Sequence, residues 1–219
     1  MQCYGPDSFQ IEKGAQSMSV ATLEVLRERE RGVRRQLILL AAQKLFAEKD
    51  FRSVTVREIA KEAGVSLGTI YRYYENLDEL FLDVFFAGTL KITRRLDKEY
   101  EKESKCSLPR FCEIYIGYLN EDMSFYQMMS HFMLGGRLSI NALERLNPIM
   151  RDLMNRIEKI VKEAGIQGET RLVSHALFSS LNGIMISYAR YPGRSLDEIR
   201  QHTLRLSKIV ADFFKPGRG

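Results

Sequence analysis

Thr55, Arg57, Ser66, Leu67, Gly68, Thr69, Tyr71, Arg72 and Tyr73 all fall inside one short stretch, TVREIAKEAGVSLGTIYRYY, residues 55–74. Short hydroxyls, tyrosine hydroxyls, guanidinium groups and a glycine are groups that form hydrogen bonds to phosphate oxygens and base edges. Their chemistry is recognition of a polyanion rather than cleavage of a bond. A DNA major groove, about 12 Å wide, admits a helix that carries such groups. The glycine at 68 lets backbone come close to whatever the helix touches.

The elements that must hold these residues are legible around them. Thr55 and Glu58 have the spacing of a capping box, in which the threonine caps a helix start and the glutamate reaches back to the cap amide. Val56, Ile59, Ala60 and Ala63 then recur at the spacing of one helical face. Gly64 is the stop, since glycine takes the left-handed conformation that closes a helix, and Val65 returns to the core. Ser66 caps a second helix, Leu67 to about Tyr74, which turns Ile70 and Tyr74 inward and the remaining residues outward. The stretch is thus two short helices joined by a tight turn, with an ordinary helical hairpin as the alternative.

The flanks resemble the N-terminal domain of the TetR family of transcriptional regulators. The resemblance covers residues 38–80: Ile38-Leu39-Leu40-Ala41-Ala42, Leu45-Phe46-Ala47-Glu48-Lys49, the stretch Thr55 to Tyr74, and Asn76-Leu77-Asp78-Glu79-Leu80. It implies three N-terminal helices that bind DNA, a fourth that links them to a helical ligand-binding and dimerisation domain, and repression released by a ligand. Two positions depart from the family pattern. Asp50 stands where glycine is common, and aspartate tolerates the left-handed conformation. Leu77 stands where a phosphate-touching lysine is common, which removes one expected contact.

Charge is distributed in keeping with this. Residues 27–73 hold eleven Lys or Arg and six Asp or Glu, an excess equal to the +5 of the whole 219-residue chain. Arg27, Arg29, Arg31, Arg34 and Arg35 either reach phosphates beside the main site or form a solvated face balanced by Glu28 and Glu30. Three cysteines, Cys3, Cys106 and Cys112, have neither disulfide-framework nor metal-ligand spacing. No apolar run approaches the roughly 18–20 residues that span a bilayer, and the first residues lack an apolar signal core. The expected compartment is the cytoplasm. Nor is a catalytic centre marked: His131, His175 and His202 are scattered, Gly135-Gly136 lacks the downstream Gly-Lys-Ser/Thr of a phosphate loop, and no Gly-x-Ser-x-Gly occurs. We therefore expect no enzyme and no cofactor.

The rest of the chain reads as helices, with no alternating strand pattern and no repeat. The expected fold is all-α with about nine helices: a flexible tail over residues 1–26, a helix-turn-helix domain over 27–75, and a ligand-binding and dimerisation domain over 76–219. Helix one is expected from about Arg34, after an interruption at Gly32, with Ile38, Ala42, Leu45 and Phe46 facing the reader. Further starts are expected at Asn76, Pro109, Asn147-Pro148 and Ser195. Tyr115, Tyr118, Phe125, Met128, Met129, His131, Phe132, Arg137, Phe178, Asn182 and Met185 form a candidate pocket for a hydrophobic small molecule, with simple core packing as the alternative. The last two helices carry apolar stripes wide enough to pair with a second copy as a four-helix interface.

These readings converge on a homodimeric regulator that binds a palindromic operator and is released by a ligand. The competing readings are an architectural DNA-binding protein that senses nothing and a helical carrier in which the reader is vestigial.

Overall fold

The computed structural model describes the backbone of residues 7–49, 53–133 and 140–215 and the side chains of residues 22–49, 53–131 and 140–215. Among the described residues there are nine α-helices and no strand: α1 (Asp7–Glu48), α2 (Val56–Glu62), α3 (Leu67–Tyr73), α4 (Leu77–Glu103), α5 (Leu108–Glu121), α6 (Met123–Met133), α7 (Ile140–Glu163), α8 (Thr170–Tyr188) and α9 (Leu196–Phe213). The all-α expectation holds.

Local signals place most of the boundaries. Thr55 and Glu58 form both halves of the capping box at α2, and Ser195 and Glu198 do the same at α9. Asn76 caps α4 by accepting from the Glu79 amide, and Pro109 sits in the first turn of α5, where its missing N–H costs nothing. After α2 the chain closes through Gly64, at φ +65°. The Gly64 amide donates to the Lys61 carbonyl at 3.2 Å and the Val65 amide to that of Ala60 at 3.0 Å. These are the two bonds that satisfy the orphan carbonyls of a helix end.

Two boundaries differ from expectation. Instead of a tail over residues 1–26 and a break at Gly32, α1 is one helix from Asp7; residues 1–6 lie outside the described residues. An isolated glycine costs only about 1 kcal/mol in a helix, and the run around it is rich in helix formers tied by Arg31–Glu28 and Arg34–Glu30 pairs. Likewise Pro148 does not start a helix but lies inside α7, which begins at Ile140. Ala142 and Leu146 are buried on the same side as Leu153, Ile157 and Ile160, so packing upstream of the proline extends the helix despite the lost hydrogen bond.

The N-terminal unit is held by α1. Ile38, Ala42, Leu45 and Phe46 are buried with Ile59, Ala60, Ile70 and Tyr74, and Lys44–Glu62 and Lys49–Glu58 pairs, both at 2.6 Å, tie α1 to α2 at the surface. Phe46 meets Phe81 of α4 edge-on at 5.6 Å. Beyond α4, α5 lies against α9, α8 contacts both α7 and α9, and α6 reaches back to α1, where Gln127 donates to the Ala47 carbonyl at 3.2 Å.

The tightest point in this second unit is Gly88, buried in α4 beneath the Phe125 ring, which itself stacks on Phe85 at 5.1 Å. A Cβ at Gly88 would lie 2.2 Å from Phe125 Cδ2. Gly88→Ala therefore overpacks the core, and urea unfolding is expected to show a loss of about 1–3 kcal/mol despite alanine's better helix propensity.

Candidate nucleic-acid interface

The candidate recognition surface is built on a helix of only seven residues. Ile70 and Tyr74 anchor it inward, and Leu67 and Tyr73 are half-buried against the same core. Gly68, Tyr71 and Arg72 are exposed, Tyr71 at 53%, while Thr69 is half-buried. Arg57 on α2 is also exposed, and neither it nor Arg72 forms an ion pair among the described residues. Two uncompensated guanidinium groups thus flank a face of small and hydroxyl-bearing side chains. A side chain at position 68 would meet nothing nearer than Ser66 Oγ at 3.9 Å. The fold itself therefore does not require glycine there, and the free space opens outward.

Thr55 and Ser66 have local duties. Thr55 Oγ1 accepts from the Glu58 amide at 3.2 Å and donates to Glu58 Oε2 at 2.9 Å. Ser66 Oγ accepts from the Thr69 amide at 3.1 Å and lies 2.8 Å from Thr69 Oγ1. Both hydroxyls cap helices, so the structure gives them a positioning role at the edge of the exposed face. Asp50 lies outside the described residues, and Leu77 is the half-buried first residue of α4.

The residues expected to line a pocket are brought together by α5, α6 and α8, but as packed interior. Tyr115, Tyr118, Phe125, Met128, Met129, Phe178, Asn182 and Met185 are all buried. Tyr115 donates to Asn182 Oδ1 at 3.0 Å, Asn182 donates to the Phe178 carbonyl at 2.7 Å, and Tyr118 donates to the Gly88 carbonyl at 2.8 Å. Burial pushes the Tyr115 hydroxyl up, against the opposing effect of Asn182, so it remains a neutral donor. His131 packs its ring edge-on against Phe81 of α4 at 5.7 Å. Arg137 and the Phe132 side chain lie outside the described residues.

Two surface features lie on the last two helices. On α8, Leu172, Ala176, Ser179, Gly183 and Ile186 are exposed at alternating spacings of three and four, with Leu172 at 58% and Ile186 at 42%. Ile209 and Phe213 extend the apolar surface on α9. Beside it is a cleft of about 510 Å³ lined by Tyr188, Tyr191, Arg194, Ile199, His202 and Arg205. The heptad-like spacing of the α8 stripe was legible in sequence; the cleft, made by a turn folding back on two helices, was not. No helix of the described residues is long and apolar enough to cross a membrane.

This fold and surface define a helix-turn-helix protein with an all-helical second unit. Residues 38–84 match the family described as bacterial regulatory proteins, tetR family. Bacillus subtilis YfiR, a helix-turn-helix transcriptional regulator, is 34% identical over 67 residues, 31% of this chain and 33% of its own. That alignment spans about a third of the relative's length. The fatty acid metabolism regulator protein of Bacillus subtilis is 23% identical over 153 residues, 66% of this chain and 78% of its own. Among solved structures, the transcriptional regulator FadR of Bacillus subtilis, in complex with stearoyl-CoA, has a TM-score of 0.63 at 21% identity, covering 83% of this chain and 98% of that one. A TerR/AcrR-family regulator from Aquifex aeolicus has a TM-score of 0.61 at 19% identity, covering 81% and 99%. These structural likenesses show the fold.

Glu58 offers a direct check on how the reader is capped. Its hydrogen bonds from Lys49 and then from the Thr55 amide and hydroxyl hold its carboxyl at about 2, below the ordinary 4.5. The cap's contribution is therefore complete above pH 4.5 and is lost as pH falls toward about 2. Thr55→Ala is expected to cost about 1 kcal/mol of stability at neutral pH. It should also raise the Glu58 pKa, followed through its side-chain carbonyl carbon by NMR.

Proposed function

We propose that this chain is a DNA-binding transcriptional regulator that acts as a homodimer and is released from a palindromic operator by a small, apolar effector. The observation that carries the reading is the outward face of α3, where Gly68, Thr69, Tyr71 and Arg72 stand with exposed Arg57 of α2 on a stretch that matches the tetR family. In this reading Thr69 and the open space at Gly68 approach base edges, Tyr71, Tyr73 and the two arginines bond phosphates, and Thr55, Ser66 and Leu67 fix the helix at the groove.

The dimer reading rests on the α8 stripe and its continuation on α9, a self-complementary surface of the kind a twofold interface needs. Paired readers must lie about 34–36 Å apart to enter successive major grooves. The effector reading rests on the apolar interior of α5, α6 and α8 and on the stearoyl-CoA held by the Bacillus subtilis FadR of the same fold. Because Tyr115 of α5 and Asn182 of α8 already satisfy one another across that interior, an effector must part α5 from α8 to enter. Binding is thereby linked to helix displacement. A difference of 1–3 kcal/mol in affinity between two conformers is about the usual coupling.

Fluorescence anisotropy with duplexes tiled across the DNA flanking the gene, at two salt concentrations, tests the reading. Strong preference for one near-palindromic tile is expected, by about 10³ or more over unrelated DNA. Arg72→Ala is expected to weaken binding to that tile and to reduce the salt slope by about one for each phosphate the arginine neutralises. Equal binding to all duplexes would favour an architectural role instead. For the dimer, Leu172→Glu with Ile186→Glu is expected to give a folded monomer by sedimentation velocity, since two carboxylates would be buried at the twofold interface.

A further inference from the structure

Asp83 is a carboxylate on α4, 7% exposed, between Leu82 and Val84, which are also buried. A lone charge there would be costly, and it is retained because two arginines from different parts of the chain converge on it. Arg35 of α1 donates through Nη2 to Asp83 Oδ2, and Arg145 of α7 donates through Nη2 to Oδ1 at 2.6 Å. Arg35 has a second partner: its Nε donates to the Tyr74 hydroxyl at 3.4 Å. Tyr74 is the C-cap of the recognition helix. Arg145 also has a second partner, the face of Phe86 on α4, 5.2 Å from its guanidinium carbon. One polar chain therefore runs from the end of α3 through α1 and α4 to α7, joining residues 39, 48 and 62 positions apart.

We propose that Asp83 is the coupling carboxylate of this protein, through which the position of α7 sets how firmly the end of the recognition helix is held. Each of its oxygens is committed to one side. Withdrawing Arg145 leaves Oδ1 buried without a donor, and the carboxylate must turn or draw in water to recover one. Either change disturbs Oδ2 and the Arg35 side chain that steadies Tyr74. Because α7 lies against α8 as well as α4, displacement of the second unit's helices reaches the reader by this route. A hydrophobic contact in the same place would hold the two units together without this sensitivity, because it tolerates small sliding and a fork of directed bonds does not. Burial pushes the Tyr74 hydroxyl up to about 12, so it stays neutral while Arg35 holds it. The inference goes beyond the regulatory reading and does not depend on it, since it concerns only how tightly α3 is held.

Hydrogen–deuterium exchange of the full chain, without DNA or effector, tests it. Arg145→Gln alters α7 alone, yet amides of residues 67–74 are expected to exchange about two- to tenfold faster, the coupling typical of residues sharing one partner. Amides of α9 serve as the internal reference and should not change. In the Asp83→Leu background the same substitution is expected to add nothing, because both acceptor oxygens have gone. Unchanged exchange at 67–74 on Arg145→Gln overturns the proposal. An effect of equal size in both backgrounds also overturns it, because α7 would then act by a path that bypasses Asp83. Should Asp83→Leu lose its helical circular dichroism, the Arg35→Gln background makes the same comparison with the same two outcomes.

Discussion

A helix of two turns has no stability of its own in water, because closing the first turn fixes several residues for a single hydrogen bond. The recognition helix α3 is seven residues long, and its order is therefore borrowed. Ile70 and Tyr74 provide it by burial against a core that includes Ile38, Ala42 and Phe46 of α1. Since those two positions carry the anchoring, the others need not be apolar. The helix can then present a glycine, hydroxyls and an arginine, because burial of the two anchors offsets the poor helix propensity of the glycine. The same dependence makes α1 the central element of the first unit: any force that tilts α1 tilts the reader with it.

What the sequence disclosed and what it hid divide along the range of the forces involved. Caps and stops act over three to five residues, so Thr55 with Glu58, Ser66, Gly64 and Ser195 with Glu198 were all readable and stand where the spacing put them. The periodic burial of Ile38, Ala42, Leu45 and Phe46 was readable for the same reason. Propensity misled where longer packing outweighed a local breaker. Pro148 is accommodated because Ala142 and Leu146 have somewhere to be buried, and Gly32 because the helix around it is otherwise strongly favoured. The partnership of Arg35, Asp83 and Arg145 was beyond reach. Nothing local distinguishes those charges from their neighbours, and only the crossing of α1, α4 and α7 brings them together.

The candidate pocket shows a different limit. Composition rightly grouped Tyr115, Phe125, Met128, Met129, Phe178 and Met185, yet large apolar side chains that can wall a cavity can equally fill one. Whether they do depends on volumes set by helix spacing. In this structure the polar atoms among them decide the matter locally: Asn182 serves Tyr115 on one side and its own helix on the other. A guest that separates α5 from α8 must break the first of these bonds or replace it. That favours a ligand with an acceptor near the tyrosine hydroxyl over one that is apolar throughout, because a buried hydroxyl left unpaired would offset much of the gain from burying the rest.

Two bridges of different character then connect the interior to the reader. At the C-terminal end of α1, Phe46 meets Phe81 and Gln127 of α6 grips the Ala47 carbonyl; farther toward its N-terminus, Arg35 reaches Asp83. The first bridge is mostly apolar and adapts to small sliding; the second is directed and charged, and does not. The charged bridge therefore ties Asp83 to Tyr74 through Arg35 more directly than the apolar one ties α4 to α1. α2 packs on α1 and α3 packs on α2, while Ile70 and Tyr74 share one core with Ile38, Ala42 and Phe46. The first unit is thus joined to the second at two points that differ in how much sliding they allow, an apolar one at Phe81 and a directed, charged one at Asp83.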